Sequence, residues 1–320
     1  MFATVLVPWI GSYAALLAWL ATHISAAGER EMSVRCGAHR TRLAWQGKHD
    51  AVGEILIVIA AALLYFYARG LVDARAADAF AHAAWLIELE QRLGLFWEPA
   101  LQRWSLSTGW LDTVANWVYI WGHWPVIAAT LLWLMRCHRQ ELALYRNAML
   151  ISGAIGIVCF VFFPMAPPRF LDSLGFVDTV TLESHAYRVL QPPSLTNPYA
   201  AMPSLHVGWN LLMGIALTRS STNTAVKLFG VLMPVAMYFA TVLTANHYLL
   251  DGVTGSAVAL LGLAVAAGVR RRGMAEREQW LAASAGASSA DQGASPPRHP
   301  SAPSLRPSHG RGRPEAHVTP

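Results

Sequence analysis

Three residues, His206, His247 and Asp251, have types and spacing suited to acid–base or nucleophilic chemistry. His247 and Asp251 stand four apart in Asn246-His247-Tyr248-Leu249-Leu250-Asp251, which places them on one face of a helix. A carboxylate beside an imidazole fixes its tautomer and stabilises the imidazolium, and that arrangement makes histidine an effective base or nucleophile. His206 closes Ala201-Met202-Pro203-Ser204-Leu205-His206. Pro203 suits the first turn of a helix, where its missing N–H would be unpaired anyway. The free amides of such a turn attract phosphate, and Ser204 adds a hydroxyl donor. The competing reading is that these are polar packing groups, hydrogen-bonded across a helical bundle. Two histidines and an aspartate at one depth beside a Pro-Ser helix start favour chemistry over packing. A metal centre built from His123, His206, His247 and Asp251 is a further alternative, because imidazole and carboxylate suit zinc. Nothing in the spacing demands it.

The elements that must position these residues are membrane helices. The chain is 54% hydrophobic and only 13% charged, about half the roughly 25% charge of an ordinary soluble domain. A spanning helix needs about 20 apolar residues, and spans are expected at 4–22, 51–69, 116–136, 146–164, 203–219, 226–244 and 249–269. The second is the weakest, because Glu54 lies inside it. Asn116, Tyr119 and His123 fall on one face of the third and are candidates to line a cavity, against the alternative of a satisfied buried histidine. Basic residues sort by loop: Arg30, Arg35, Arg40, Arg42 and Lys48; Arg136, Arg139 and Arg146; Arg219 and Lys227; then Arg270, Arg271, Arg272 and Arg277. With seven alternating spans all four groups share one side, which the positive-inside rule makes cytoplasmic. This sorting assigns the net charge of +5 to topology and argues against nucleic acid as a partner. Residues 1–27 could instead be a cleaved signal peptide, but no positive charge precedes the apolar run, so a retained span is expected. Cys36, Cys137 and Cys159 form no CxxC and indicate neither a zinc site nor a disulfide framework.

Two outer loops stand out. Across 73–105, Phe80, Ala83, Ala84 and Ile87, with Leu86, Leu89 and Leu93, recur at helical spacing among charges, which predicts an amphipathic helix at the interface. The second loop, 165–202, is rich in proline and longer than a connection requires. The domains read as 1–50, an N-terminal helix with its basic loop; 51–270, a membrane-embedded core; and 271–320, a cytoplasmic tail expected to be disordered, since beyond about 281 it has almost no large apolar side chains.

Pro203-Ser204-Leu205-His206 and the stretch from His247 to Asp251 resemble the second and third signatures of the type 2 phosphatidic acid phosphatase superfamily. Phe163-Pro164-Met165-Ala166-Pro167-Pro168-Arg169 resembles the first signature in the branch that includes inositol phosphorylceramide synthases, as does Leu93-Gly94-Leu95-Phe96-Trp97-Glu98-Pro99. The resemblance covers about residues 115–270. It implies an all-α fold, here a six-helix core plus one added N-terminal span. It also implies metal-independent chemistry without a cofactor, in which His247 is the nucleophile forming a phosphohistidine, Asp251 orients it, and His206 protonates the leaving group. Arg169 and Ser204 would bind phosphate, with Asn246 and Arg188 as further cavity candidates. The chain departs from the pattern at three positions: Phe162 replaces a lysine, Leu205 a glycine and Thr241 an arginine. Two phosphate-binding cations are missing, as in transferase-like relatives, and Arg188 or His185 in the long loop are possible substitutes, though each reads equally as a solvated loop residue.

The expected protein is a multi-pass cell-membrane enzyme acting on a phospholipid or lipid phosphate at the extracytoplasmic face, leaning towards inositolphosphotransferase-like transfer. A lipid phosphate or pyrophosphate phosphatase is the alternative. A transporter or structural membrane protein is the reading from another class. It would need a polar pathway reaching the cytoplasmic side, whereas the inner helix halves are nearly all apolar.

Overall fold

The computed structural model describes residues 46–70, 75–183 and 197–293. The first expected span, most of the basic loop behind it, Cys36, His185, Arg188 and the chain beyond Gly293 lie outside the described residues. The described residues form helices and turns with no strand, in keeping with the expected all-α class. The helices are α1 (Gln46–Gly70), α2 (Ala76–Arg92), α3 (Glu98–Thr108), α4 (Leu111–Trp121), α5 (Trp124–Cys137), α6 (Arg139–Phe162), α7 (Thr179–Glu183), α8 (Leu205–Ser220), α9 (Thr224–Leu243) and α10 (Leu249–Gly293).

Arg139–Phe162, Thr224–Leu243 and Leu249–Leu281 are long and apolar enough to cross a membrane. Helices α4 and α5 pass the same test jointly, with a 44° bend between them. Among the described residues, length and apolarity thus account for three or four crossings, and the first of the seven expected spans lies outside them. The third expected span is broken because Pro125, in the first turn of α5, cannot donate a bond back into α4. His123 sits in the break as the N-cap of α5, not on a continuous helical face with Asn116 and Tyr119. Exposed Trp117, Trp121, Leu132, Val158, Leu232 and Leu261 give the bundle an apolar exterior that water would not tolerate. Glu54 of α1 is satisfied by an ion pair with Arg146 of α6, the usual arrangement for charges inside a membrane bundle.

Helix α8 is the axis of the bundle. It packs against α9, α6 and α5, and every residue from Leu205 to Leu217 except His206 is buried. A helix apolar on all sides belongs in a core. Its first turn also meets α10, where glycines allow the backbones to touch. A Cβ on Gly255 would collide with the Ser204 backbone, and one on Gly208 would press on the Gly255 carbonyl.

The expected helix over 73–105 is two helices joined by a tight turn. Leu95 N–H donates to Glu90 O at 2.7 Å and Gly94 N–H to Gln91 O at 3.1 Å, with Gly94 at φ 68°. These bonds close a Schellman motif, which glycine supports because it lacks a Cβ. Trp97 then caps α3, whose first turn holds Pro99. Helix α2 buries Ala79, Ala83 and Leu86 against Met165, Ala166, Ala201 and Tyr248. The backbone of residues 164–169 is pinned there: Ala166 N–H donates to Ala79 O and Met165 N–H to Tyr199 O.

The boundary read at residue 270 falls inside a helix, since α10 runs on to Gly293. The chain divides into two units at Arg271, and residues 272–281 of the second unit are exposed.

Gly255→Ala is expected to lower the thermal midpoint of the detergent-purified protein, with an overpacking cost of about 1–3 kcal/mol. Gly268→Ala, whose Cβ would meet nothing within 4 Å, should leave the midpoint unchanged or raise it slightly.

Candidate active site

His247 and Asp251 meet, though not by helical spacing. Helix α10 starts at Leu249, so His247 precedes it and Asp251 is its third residue. The Asp251 carboxylate folds back over the helix start, where Oδ2 accepts the Tyr248 N–H at 3.0 Å and lies 3.3 Å from His247 Nδ1. This is half of a capping box, with histidine added as a second client. Asp251 is fully buried and His247 is 5% exposed. The turn before them is also specified. Ala245 N–H donates to Val242 O and Asn246 N–H to Thr241 O, a second Schellman closure. Its left-handed position is filled by Ala245 at φ 54°, a conformation that costs a non-glycine residue roughly 1–2 kcal/mol.

His206 lies one residue inside α8. Pro203 is outside the helix, preceded by a cis peptide bond, and Ser204 is the N-cap. The His206 ring is sandwiched, stacked on Tyr119 at 4.6 Å and beside His123 at 4.2 Å between centroids. His123 Nδ1 is 3.2 Å from Asn210 Nδ2, and the same amide donates to His206 O. The centroids of His206 and His247 are 5.8 Å apart. Ser204 N–H donates to Asp251 O at 2.9 Å, tying the starts of α8 and α10 together. Ser204 Oγ is buried without a hydrogen-bond partner among the described residues, and Ser204 does not line the cavity.

Arg169 arrives from the short helical turn Pro168–Phe170. Its N–H donates to Ala245 O at 2.8 Å, and its Nη1 donates to Asn246 Oδ1 at 2.6 Å. Nε lies 3.8 Å from Asp178 Oδ2. Asn246 is fixed in turn by bonds from Nδ2 to Thr244 O and Oγ1. Asp178 is placed by Gln102 of α3, whose side-chain amide donates to Val177 O at 2.7 Å and accepts from Val177 N–H at 3.1 Å.

These residues surround a cavity of about 200 Å³. Arg169, Asn246, His206 and His247 line it with Tyr119 and His123. Asn116 does not line it; its Oδ1 accepts the Thr179 hydroxyl at 3.0 Å and secures α7. Asp178, Asn197 and an aromatic wall of Tyr65, Phe66, Trp124 and Trp209 complete the lining. Those residues lack a local motif, and only their place in the bundle reveals them. Asp251 lies on the Nδ1 side of His247, and among the described residues no three or more His, Cys, Asp or Glu side chains are gathered as metal ligands would be.

The three departures from the motif pattern acquire physical content. Phe162 ends α6 with its side chain 76% exposed. Thr241 is buried, with its hydroxyl on Tyr238 O. Leu205 fits because α6 carries Gly156 opposite it, where a Cβ would come within 2.9 Å of the Leu205 side chain.

Two carboxyl groups without a motif role lie behind the site. Glu90 and Glu98 are fully buried, and their Oε1 atoms accept from Leu250 N–H at 2.9 Å and Leu249 N–H at 2.8 Å. Burial, reinforced by the neighbouring Glu98 carboxylate, pushes Glu90 up to about 10; burial also raises Glu98.

The architecture is that of a helical membrane protein in which two histidines, a carboxylate and an arginine gather around one cavity. The family model of the PAP2 superfamily matches residues 84–265, more than half of the chain, and the protein belongs to that superfamily. Neither a curated protein nor a solved structure matches it. Membership points to phosphatase-type activity on phosphorylated substrates.

If Arg169 holds the anion, Arg169→Lys should weaken inorganic phosphate binding to the detergent-purified protein roughly tenfold in a calorimetric titration, because an ammonium cannot reproduce the guanidinium fork.

Proposed function

We propose that this protein cleaves a phosphoester or phosphoanhydride of a lipid at the extracytoplasmic face through a phosphohistidine on His247, and passes the phosphoryl-bearing group to an acceptor hydroxyl. The observation that carries this reading is the His247–Asp251 pair facing His206 across a cavity that also holds Arg169. With Nδ1 engaged by Asp251, Nε2 is the nitrogen left to attack phosphorus. In the first step the Nε2–P bond forms and the P–O bond to the leaving group breaks. His206, entering as the imidazolium, gives its proton to the departing oxygen. Asp251 stabilises the positive charge that develops on His247, and Arg169 stabilises the phosphoryl oxygens. In the second step neutral His206 takes a proton from the acceptor hydroxyl, whose oxygen attacks phosphorus and releases His247.

Water or a lipid hydroxyl could be that acceptor. The aromatic wall of Tyr65, Phe66, Trp124 and Trp209 gives the apolar part of a lipid a place beside the reacting group and reduces the room for water. The cation supply is also low, because positions 162 and 241 contribute none. Both observations favour head-group transfer of the inositolphosphotransferase type over hydrolysis. The sorting of basic residues by loop supports an extracytoplasmic position for the site.

The test is incubation of the purified protein, with EDTA, with a panel of lipid phosphates, lipid pyrophosphates and phosphoinositol lipids, in the presence and absence of an acceptor lipid alcohol. Acceptor-dependent product, lost in His247→Ala and His206→Ala by about 10³-fold or more, is the expected result. Free phosphate without acceptor dependence would convert the reading to a phosphatase. Turnover that survives His247→Ala would sink the phosphohistidine.

A further inference from the structure

The stretch Leu93-Gly94-Leu95-Phe96-Trp97-Glu98-Pro99 has no part in the chemistry above, yet its local structure has a definite result. Leu93, Gly94 and Leu95 terminate α2, and Trp97 and Pro99 restart the chain as α3. The reversal brings Glu90, in the last turn of α2, beside Glu98, the first residue of α3. Each gives one oxygen to an amide at the start of α10, and each keeps a second oxygen, Oε2, buried without a hydrogen-bond partner among the described residues. Asp251, in the same helix turn, also has a buried unpartnered oxygen, Oδ1. Three full negative charges in this space would exceed what one helix N-terminus, worth about half a positive charge, can offset. Two facing carboxyl groups relieve the repulsion by sharing a proton.

We propose that Glu90 and Glu98 form a carboxyl pair holding one proton between their Oε2 atoms, and that this pair, by capping Leu249 and Leu250, positions the His247–Asp251 couple. Neither glutamate touches substrate; both act through the start of α10. The positioning half rests on the function proposed above, whereas the proton pair stands independently of it. The groups facing the pair are Asp251 and Tyr248, with His247 beyond Asp251.

The proton makes the pair visible. The folded protein keeps it up to about pH 10, whereas an unfolded chain releases it near 4.5. Between those values the folded state binds more protons, so stability falls as pH rises. Glu90→Gln supplies a permanent neutral partner and removes that proton from the balance.

Three measurements on the detergent-purified full chain decide the matter. The thermal midpoint from pH 5 to 9 should fall less steeply for Glu90→Gln than for wild type; an unchanged slope overturns the shared proton. Acylation of His247 by diethyl pyrocarbonate, read by peptide mass spectrometry, should accelerate several-fold in Glu98→Ala and return to the wild-type rate in Glu98→Gln, whose amide oxygen still accepts from Leu249. Equal rates in folded Glu98→Ala and wild type overturn the positioning role. On a substrate turned over by wild type, Glu98→Ala should lose roughly tenfold in kcat with KM little changed; a full kcat likewise overturns positioning. Wild type inactive on every substrate would sink the assigned reaction while the first two measurements still judge the pair.

Discussion

Asp251 bonds in three directions from one buried position, and the candidate site is organised around those bonds. Its carboxylate holds the His247 imidazole and the Tyr248 amide, and its carbonyl receives the Ser204 amide. The first two bonds set the orientation of one histidine; the third ties down the helix that carries the other. A fully buried carboxylate that serves a backbone cap and a side chain together has little freedom to move without breaking helix α10 at its start. The geometry of the two histidines is therefore inherited in large part from a helix terminus.

Much of the site was legible because its residues lie in short motifs whose meaning is local. His206, His247, Asp251 and Arg169 come together as their types and order implied, and the all-helical class followed from composition and apolar runs. The way His247 and Asp251 meet was not legible, since spacing of four reads as a helix and the real contact is a cap reaching back over a helix start. The break at His123 was encoded by Pro125 but hidden inside an apolar run long enough for one span. Asn116 shares the periodicity of Tyr119 yet bonds Thr179, because the short helix α7 packs where a cavity was expected. Glu90 counted only as one of the charges of an amphipathic helix, and Glu98 only as a member of the stretch 93–99. Their burial depends on a chain reversal and on a helix start more than 150 residues away, and no windowed pattern contains that information.

Around the cavity the charges are divided between two layers. Arg169 and the histidines face the open space, and the carboxylates of Asp251, Glu90 and Glu98 stand behind them against backbone amides. Asp178 is the exception, placed at the lining by Gln102 and 3.8 Å from Arg169. Asn246 and Asp178 hold the Arg169 guanidinium in place at the lining, so under the proposed reading an anion would find it already oriented.

The Leu205 and Gly156 pair shows how a motif can change without loss of the fold. Where the related pattern has glycine at the α8 start, this chain has leucine, and the missing volume reappears as a notch in α6. The two positions are coupled by shape. Shrinking Leu205 alone leaves the notch at Gly156 unfilled, and a Cβ added at Gly156 alone would come within 2.9 Å of the Leu205 side chain, which would have to turn aside. The volume at one position sets what fits at the other, so substitutions at these two sites should covary.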